Sequence, residues 1–477
     1  MDELTFDFVI VGAGSAGCAV AHGLQKSGVG TIAVLEGGPT NAVPQVRIPF
    51  GLAFTRGSRR DWRFGSKPQP ELNNRSIGVT RGKMLGGSSS INSMVWFRGR
   101  RDDFDNWNVP GWSWSDVETD FEEVEALLTP QRFAEPHPLS EAYALGLGDN
   151  GMAPPNPERE SAGVFHVNMR NGARWSAADA FLRPAMKDPT VQVITNANVD
   201  RLGFKDGRAS SVQLVDGRII TARRGVVLSA GSIGSPTILL RSGIGPADEL
   251  RNLGIDVVHN QSAVGANLHD HPAVGLHHEG ADSGYGLTWS QFPHWAVSPF
   301  NWLLRRKGRL TSGVVEAGAF FRADPVGDDG DDRPDCQSHF IPFTVGYGKN
   351  FIVWGAGYSA DVNICRPRSR GKLSLQSADP DEQPEIDLGL LTDERDVTTL
   401  VNGVRRLRGL LDAAPFENRR AKEVYPGRDV VSDEDLEAFV RERCATAYHP
   451  VGTLAMGCNW ATLRRTSNSF STFWRAA

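Results

Sequence analysis

The apolar positions of the first forty residues change period twice. Phe8-Val9-Ile10-Val11 is a continuous apolar run closed by Gly12, the pattern of a strand buried on both faces. Residues 16–26 (AGCAVAHGLQK) place small residues along one side, which predicts a helix lying close to that strand. Thr31 to Leu35 (TIAVL) is a second β-branched run, ending at Glu36-Gly37-Gly38. Together they predict a βαβ unit of ordinary length. Residues 39–75 are rich in Pro, Arg and Gly with little periodicity and predict a long loop, a feature usually kept for function.

Further along, 82–92 (GKMLGGSSSIN) predicts a second glycine turn leading into a helix. Residues 113–128 predict a helix with Ser115 as N-cap and acids in its early turns. Between 191 and 229 three runs (VQVI, SVQLV, GVVLSAG) read as strands, with Asp216-Gly217 as a hairpin turn. Residues 231–243 (GSIGSPTILLRSG) read as a third glycine turn plus helix, and 433–443 as a short amphipathic helix capped by Ser432. The acidic stretch Asp324 to Asp332 reads as a solvated loop, because EF-hand spacing is missing. No internal repeat is visible.

At about 100–200 residues per domain, 477 residues allow two to four domains. The 40% hydrophobic and 22% charged content is that of a soluble globular protein. A net charge of -5 argues against bulk attraction to nucleic acid or to an anionic surface. The five Cys are scattered with no CxxC pair, so neither a disulfide framework nor a cysteine metal site is predicted. No apolar run approaches a membrane span and no secretory leader is visible, which predicts a cytoplasmic protein with no integral membrane segment. Peripheral membrane attachment stays compatible with these patterns.

Gly12-Ala13-Gly14-Ser15-Ala16-Gly17 is GxGxxG between a strand and a helix, with Glu36 at the end of the next strand. Gly12 allows the tight turn, Gly14 lets backbone approach a pyrophosphate at the helix N-terminus, and Gly17 allows close helix–strand packing. Glu36 is placed to accept hydrogen bonds from ribose hydroxyls. The context predicts a dinucleotide, and at this point FAD and NAD fit equally.

The segment 82–92, followed by Trp96, Gly99 and Asp105, resembles the first signature of the glucose–methanol–choline (GMC) oxidoreductases. Residues 231–245 (GSIGSPTILLRSGIG) resemble the second. VGANLHDHP at 264–272, RPRSRGKLSLQSADP at 366–380 and YHPVGTLAMG at 448–457 extend the likeness from residue 6 to 457, nearest to the choline-dehydrogenase-like branch. The resemblance implies an α/β fold: a Rossmann-type FAD-binding part interleaved with an antiparallel-sheet substrate part. The implied division is 1–275 for FAD, with a lid loop at 41–75 and a substrate-part insertion at 111–189, and 276–457 for substrate. It implies FAD contacts at Gly12, Gly14, Ser15, Ala16, Glu36, Gly82, Leu85, Gly86, Gly87, Ser88, Asn92, Val95, Val199, Ala230 and Gly231. Relatives that bind flavin covalently do so through a His just before the Asn; here Ile91 stands there, implying non-covalent FAD.

His449, in Tyr448-His449-Pro450, matches the family's His facing flavin N5. The implied activity is FAD-dependent oxidation of a primary or secondary alcohol, hydride passing to N5 while His449 takes the hydroxyl proton. Imidazole, with a pKa near 6.5, is a base at neutral pH. The implied partners are a small-molecule alcohol and an acceptor, oxygen or quinone-like. His269 and His271 flank Asp270 and read as structural rather than as metal ligands. Three other readings stand beside this one: a hydroxynitrile-type lyase, a catalytically inactive flavin-binding remnant, and an NAD enzyme that would leave 82–92 and 231–245 without a role.

The likeness stops after Met456-Gly457. The tail 458–477 has no Asp, Glu or Gly, and reads as a truncated or frameshifted end. On that reading the C-terminal portion of the fold is missing, including a central strand and the partner of His449, and FAD binding and turnover are impaired.

Overall fold

A computed structural model describes residues 4–147, 153–280, 285–323, 331–344, 354–413, 416 and 421–457. Its first sheet grows from the predicted βαβ unit. The strands Leu4–Val11 and Ile32–Glu36 lie parallel, with Phe8 opposite Ile32 and Val11 opposite Leu35. The strand Val191–Thr195 extends the sheet on one side in parallel, and Ile219–Leu228 on the other. Arg208–Leu214 and Val199–Lys205 then add as an antiparallel edge.

Side chains alternate across this sheet. Phe8, Ile10, Ile32 and Val34 pack on Cys18, Ala21 and Leu24 of the helix Ser15–Lys26. Val9, Val11, Ala33 and Leu35 face the other way, into the core that holds Ile233 and Ile238 of the helix Gly231–Arg241. Coverage of both faces explains why the central strands are apolar without alternation.

The second sheet is antiparallel, in the order Lys422–Tyr425, Pro272–Glu279, Gly357–Ile364, Cys336–Ile341, Ala317–Phe321, Ser161–Val164, with Ala445–Thr446 also on Pro272–Glu279. One face carries Val274, Leu276, Ala360, Val362, Phe340 and Phe321 against Val397, Leu400, Val404 and Leu407 of the helix Glu394–Leu411. The register puts Gly275, His277, Gln337, His339, Asp361 and Asn363 on the opposite face.

Several expectations need correction. The helix Trp114–Leu128 is capped by Ser113, not Ser115: Trp114 is drawn into an aromatic cluster with Phe104 and Phe121, and the Ser113 N–H donates to Asp116 at 3.1 Å. Residues 82–92 do not lead into a helix; Gly87–Ser90 makes a single 3-10 turn. The stretch 191–229 holds four strands, because Val199–Lys205, whose polar residues hide its period, pairs at the sheet edge. The boundary at 275/276 falls inside the strand Pro272–Glu279, which belongs wholly to the second sheet. Ser161–Val164, from the insertion at 111–189, closes that sheet at its other end. The loop 41–75 holds the short helix Pro44–Arg47 and 3-10 turns at Pro49–Phe54 and Pro70–Leu72. Most of the acidic stretch 324–332 lies outside the described residues.

Among the described residues of the first sheet, Val191–Thr195, Ile32–Glu36, Leu4–Val11 and Ile219–Leu228 are paired neighbour to neighbour, and Ile219–Leu228 meets Arg208–Leu214 on its outer side over Ile219–Thr221. No helix among the described residues is long and apolar enough to cross a membrane.

A buried polar cluster sets the pH response of the second sheet. His277 and His278 are 6% and 1% exposed, and burial lowers both imidazoles to about 4. His278 stacks on Tyr358 at 4.6 Å, and neither of its ring nitrogens has a hydrogen-bond partner. Its neighbour Glu423 is held by Arg408 at 2.7 Å. The unfolded chain takes up protons on these groups near pH 6.5 while the folded chain does not until about 4. Stability therefore falls as pH drops through this window, by about 2 kcal/mol per imidazole between pH 7.5 and 5. Urea unfolding at both pH values should show that loss, and His278→Phe should reduce it by one imidazole's share.

Candidate active site

Three glycine turns meet at the C-terminal ends of the parallel strands. Gly12 follows the first strand with φ +96°, and its N–H donates to the Leu35 carbonyl at 2.8 Å. A Cβ on Gly12 would stand 2.7 Å from the Ser229 carbonyl oxygen and 2.8 Å from the Ala230 Cα. The second turn docks on the first: the Gly86 N–H donates to the Ala13 carbonyl at 2.7 Å, and a Cβ on Gly87 would lie 2.8 Å from the Gly14 Cα. A Cβ on Gly17 would meet the Gly12 carbonyl at 1.9 Å, and one on Gly38 the Lys83 carbonyl at 2.0 Å. Backbone fills these contacts, joined at Gly17 by the Ser229 hydroxyl at 2.7 Å.

Ser15 and Ala16 open the first helix, whose N-cap Gly14 offers no side-chain acceptor. Ala230 and Gly231 open the helix Gly231–Arg241, also without a side-chain cap. Two helix N-termini thus lie at the turns without a capping side chain from their N-cap residues, although the Ala230 N–H donates to Ser235 Oγ at 3.0 Å; the N–H groups that follow are the kind of donor an anionic phosphate uses. The Glu36 carboxylate, 5% exposed, accepts from the Ala13 N–H at 3.0 Å and the Gly38 N–H at 2.9 Å. Burial pushes its pKa up to about 7. The segment before Val199 runs along the end of the second strand: Ala197 N–H donates to the Glu36 carbonyl at 2.8 Å and Asn196 N–H to the Gly38 carbonyl at 3.0 Å, while Val199 itself pairs with Leu214. In the second turn Gly82 N–H donates to Ser88 Oγ at 3.3 Å, while Leu85 is buried. The exposed Asn92 uses its Oδ1 to accept from Met94 N–H at 3.0 Å and Arg174 Nη1 at 2.9 Å. Val95 pairs with Val167 in a small separate sheet, away from the turn contacts. Ile91, at the position of a covalent flavin link in some relatives, packs with Val46 and Met84.

His449 is fixed through the backbone. Asp270, 3% exposed, accepts from the His449 N–H at 2.9 Å and the His271 N–H at 2.8 Å, and its other oxygen takes the Thr446 hydroxyl. Burial pushes the Asp270 carboxyl up, and these donors pull it back. His271 gives its Nδ1 to the Ile364 carbonyl at 2.6 Å and stands edge-on to the His449 ring at 5.5 Å. His269 bonds the Asn267 carbonyl at 2.8 Å; both flanking imidazoles thus serve the backbone. His449 is exposed and lines a cleft of about 230 Å³, shared with His271, Arg366, Arg370 and Val451. Enclosure by protein, then His271, His339 and Arg81, lowers its pKa to about 3.

Sequence reasoning missed three groups. In the sequence Asp270 stands only as the residue that His269 and His271 flank, and its hold on His449 spans 179 positions. His339 and Asp361 pair at 2.9 Å across adjacent strands, on the face the register turns away from the apolar core. Cys336–Ile341 (CQSHFI) shows no polar–apolar alternation that could have signalled it. Arg174, fully enclosed and lowered to about 9 by burial, ties Asn92 to the Ser89 and Val46 carbonyls at 3.2 Å each.

A parallel sheet with convergent glycine turns, joined to an antiparallel sheet that carries histidines, defines a dinucleotide-dependent oxidoreductase of two interleaved parts. The chain belongs to the GMC oxidoreductase family, which it matches over residues 6–273 for the N-terminal part and 367–462 for the C-terminal part. It is 35% identical to an alcohol dehydrogenase [acceptor] of Pseudomonas putida, over 95% of this chain and 86% of that protein. It is also 35% identical to an oxygen-dependent choline dehydrogenase of Rhizobium johnstonii, over 94% of this chain and 86% of that protein. A crystallised formate oxidase superposes with a TM-score of 0.83 at 26% identity, covering 95% of this chain and 89% of that one. The expectation of a missing C-terminal portion is overturned: the family's C-terminal domain is present, and its match runs to residue 462, past Gly457.

The glycine contacts predict unequal costs. Gly12→Ala combines a positive φ with a backbone clash and should lower stability by more than about 2 kcal/mol. Gly14→Ala meets nothing nearer than Ser229 O at 3.9 Å and should cost under about 1 kcal/mol. Denaturant unfolding of the flavin-stripped protein measures both, and equal losses would contradict the packing described.

Proposed function

We propose that this protein oxidises the CH–OH group of a primary or secondary alcohol, with FAD held non-covalently by the convergent turns. FAD is the cofactor of this family, and the cradle suits it: bulk is excluded where Gly12, Gly17 and Gly87 meet backbone, and two helix N-termini offer donors for a pyrophosphate. Glu36 is the acceptor for the ribose hydroxyls, exchanging its two backbone N–H partners for, or sharing them with, the sugar. When bound, FAD supplies a two-electron acceptor at N5.

The observation that carries the reading is the fixation of His449. Its backbone is clamped by Asp270, its ring is kept neutral, and it opens on the cleft. A neutral imidazole accepts the hydroxyl proton as the C–H bond gives up hydride, and the carbonyl product forms. Asp270 acts by positioning, and Asn92, tied down by Arg174, holds the second turn. The relatives reported above are dehydrogenases and an oxidase, which favours redox chemistry over the lyase reading. The electrons then leave to oxygen or to a quinone-like acceptor, and the enzyme works in the cytoplasm.

Anaerobic stopped-flow mixing with a panel of primary and secondary alcohols tests the proposal: flavin absorbance should bleach with at least one. His449→Ala should retain flavin and slow that bleaching about 10²–10⁴-fold. Asp270→Ala should slow it about a hundredfold by misplacing the imidazole. Because only the neutral base works and its pKa is lowered to about 3, the bleaching rate should stay flat from pH 8 to 5. Flavin retained but never bleached by any alcohol would refute the reading.

A further inference from the structure

The helix Phe292–Arg305 is apolar on two sides, and among the described residues only one side is buried. At about 100° per residue, Ser298 and Trp302 share a side and are buried, and the Trp302 indole N–H donates to the Gly172 carbonyl at 2.7 Å. The other side carries Phe292, Phe300, Leu303 and Leu304 within about 120° of arc. These are 59%, 65%, 63% and 79% exposed. Trp289, in the turn just before the helix, is 79% exposed and stands edge-on to the exposed Trp354 at 5.2 Å. Isolated exposed hydrophobes are ordinary, whereas a helix-long stripe of them marks a contact surface.

Charge identifies the contact. From residue 285 to 315 there is no Asp or Glu, and Arg305, Arg306, Lys307 and Arg309 follow directly on the stripe, in a chain whose net charge is -5. Arg305, Arg306 and Lys307 are exposed; the Arg306 guanidinium lies 3.8 Å over the Trp302 ring, and Lys307 reaches Glu135 at 3.6 Å. A second copy docking on this face would offer no acid from residues 285–315 to pair with these cations, which disfavours it. An aromatic stripe with a cationic end and no acid matches a negatively charged lipid interface. Fourteen residues span only about 21 Å, too short to cross a bilayer and enough to lie in its surface.

We propose that the helix Phe292–Arg305 and the basic tract after it form a docking surface for an anionic lipid membrane. The apolar stripe enters the acyl boundary and the cations meet the headgroups. The proposal stands on this surface alone and does not depend on which alcohol or acceptor the enzyme uses.

Flotation of the purified holoenzyme with vesicles tests it. Vesicles of phosphatidylcholine with about one third phosphatidylglycerol should carry the protein, and pure phosphatidylcholine should carry far less. Arg305→Glu with Arg306→Glu should cut binding to the anionic vesicles about tenfold or more, as should Phe300→Ser with Leu304→Ser. Flavin content should hold in both variants, and melting temperature serves as the folding control, since Arg306 lies over the Trp302 ring. Absence of vesicle binding would overturn the proposal. So would binding that neither variant changes, or a dimer in light scattering that Phe300→Ser with Leu304→Ser splits without any vesicle binding.

Discussion

The structure depends on backbone meeting backbone without an intervening side chain. The first glycine turn touches the strand end at Ser229–Ala230, and the second turn leans on the first through Gly86 and Gly87. One methyl group at Gly12 would push apart the start of one helix and the start of another. This constraint does three things at once. It closes the first sheet against its helices, it leaves helix N-termini clear of side chains, and it places Glu36 at the rim of the same hollow. A cofactor with two phosphates and a ribose needs all three features in one place.

The second constraint is electrostatic. Asp270 is a buried carboxylate that gathers two backbone N–H groups and a hydroxyl, which offsets the cost of burying it. The donors come from segments far apart in sequence, so satisfying this one group aligns the His271 and His449 rings. The proton acceptor is thus held by backbone, and its ring keeps both nitrogens for chemistry. The face of the second sheet that carries His339 and Asp361 is polar for a related reason: the register turns it away from the helix that covers the apolar side.

Much of this was legible in the sequence because it is local. The run Phe8–Val11, the spacing of Gly12, Gly14 and Gly17, and Glu36 at the next strand end specify the βαβ unit without reference to anything distant. The helices starting at Ser15 and after Ser432 were equally plain, since their small-residue face or cap lies within the element. What stayed hidden depends on partners far along the chain. The strand Val199–Lys205 reads as polar because it lies at an edge, and its identity comes from pairing with Arg208–Leu214. The Asp270 clamp and the Arg174 anchor need the fold to bring them to His449 and Asn92. Ser115 misled because the pull of Trp114 on its aromatic neighbours moved the helix start. The tail misled because its lack of acids and glycines says nothing about the residues before it.

The short strand Ser161–Val164 carries a consequence for how the chain is made. Its partner Ala317–Phe321 emerges roughly 150 residues later. At ordinary ribosomal speed that interval is about 8–30 s. During it, the emerging polypeptide holds an unpaired edge from the segment that will close the far side of the second sheet. Synthesis must therefore shelter that edge, by a chaperone or by transient burial on the first sheet. For the same reason neither part of the enzyme can be excised as a self-sufficient fragment, since each cut would strand a ribbon that belongs to the other.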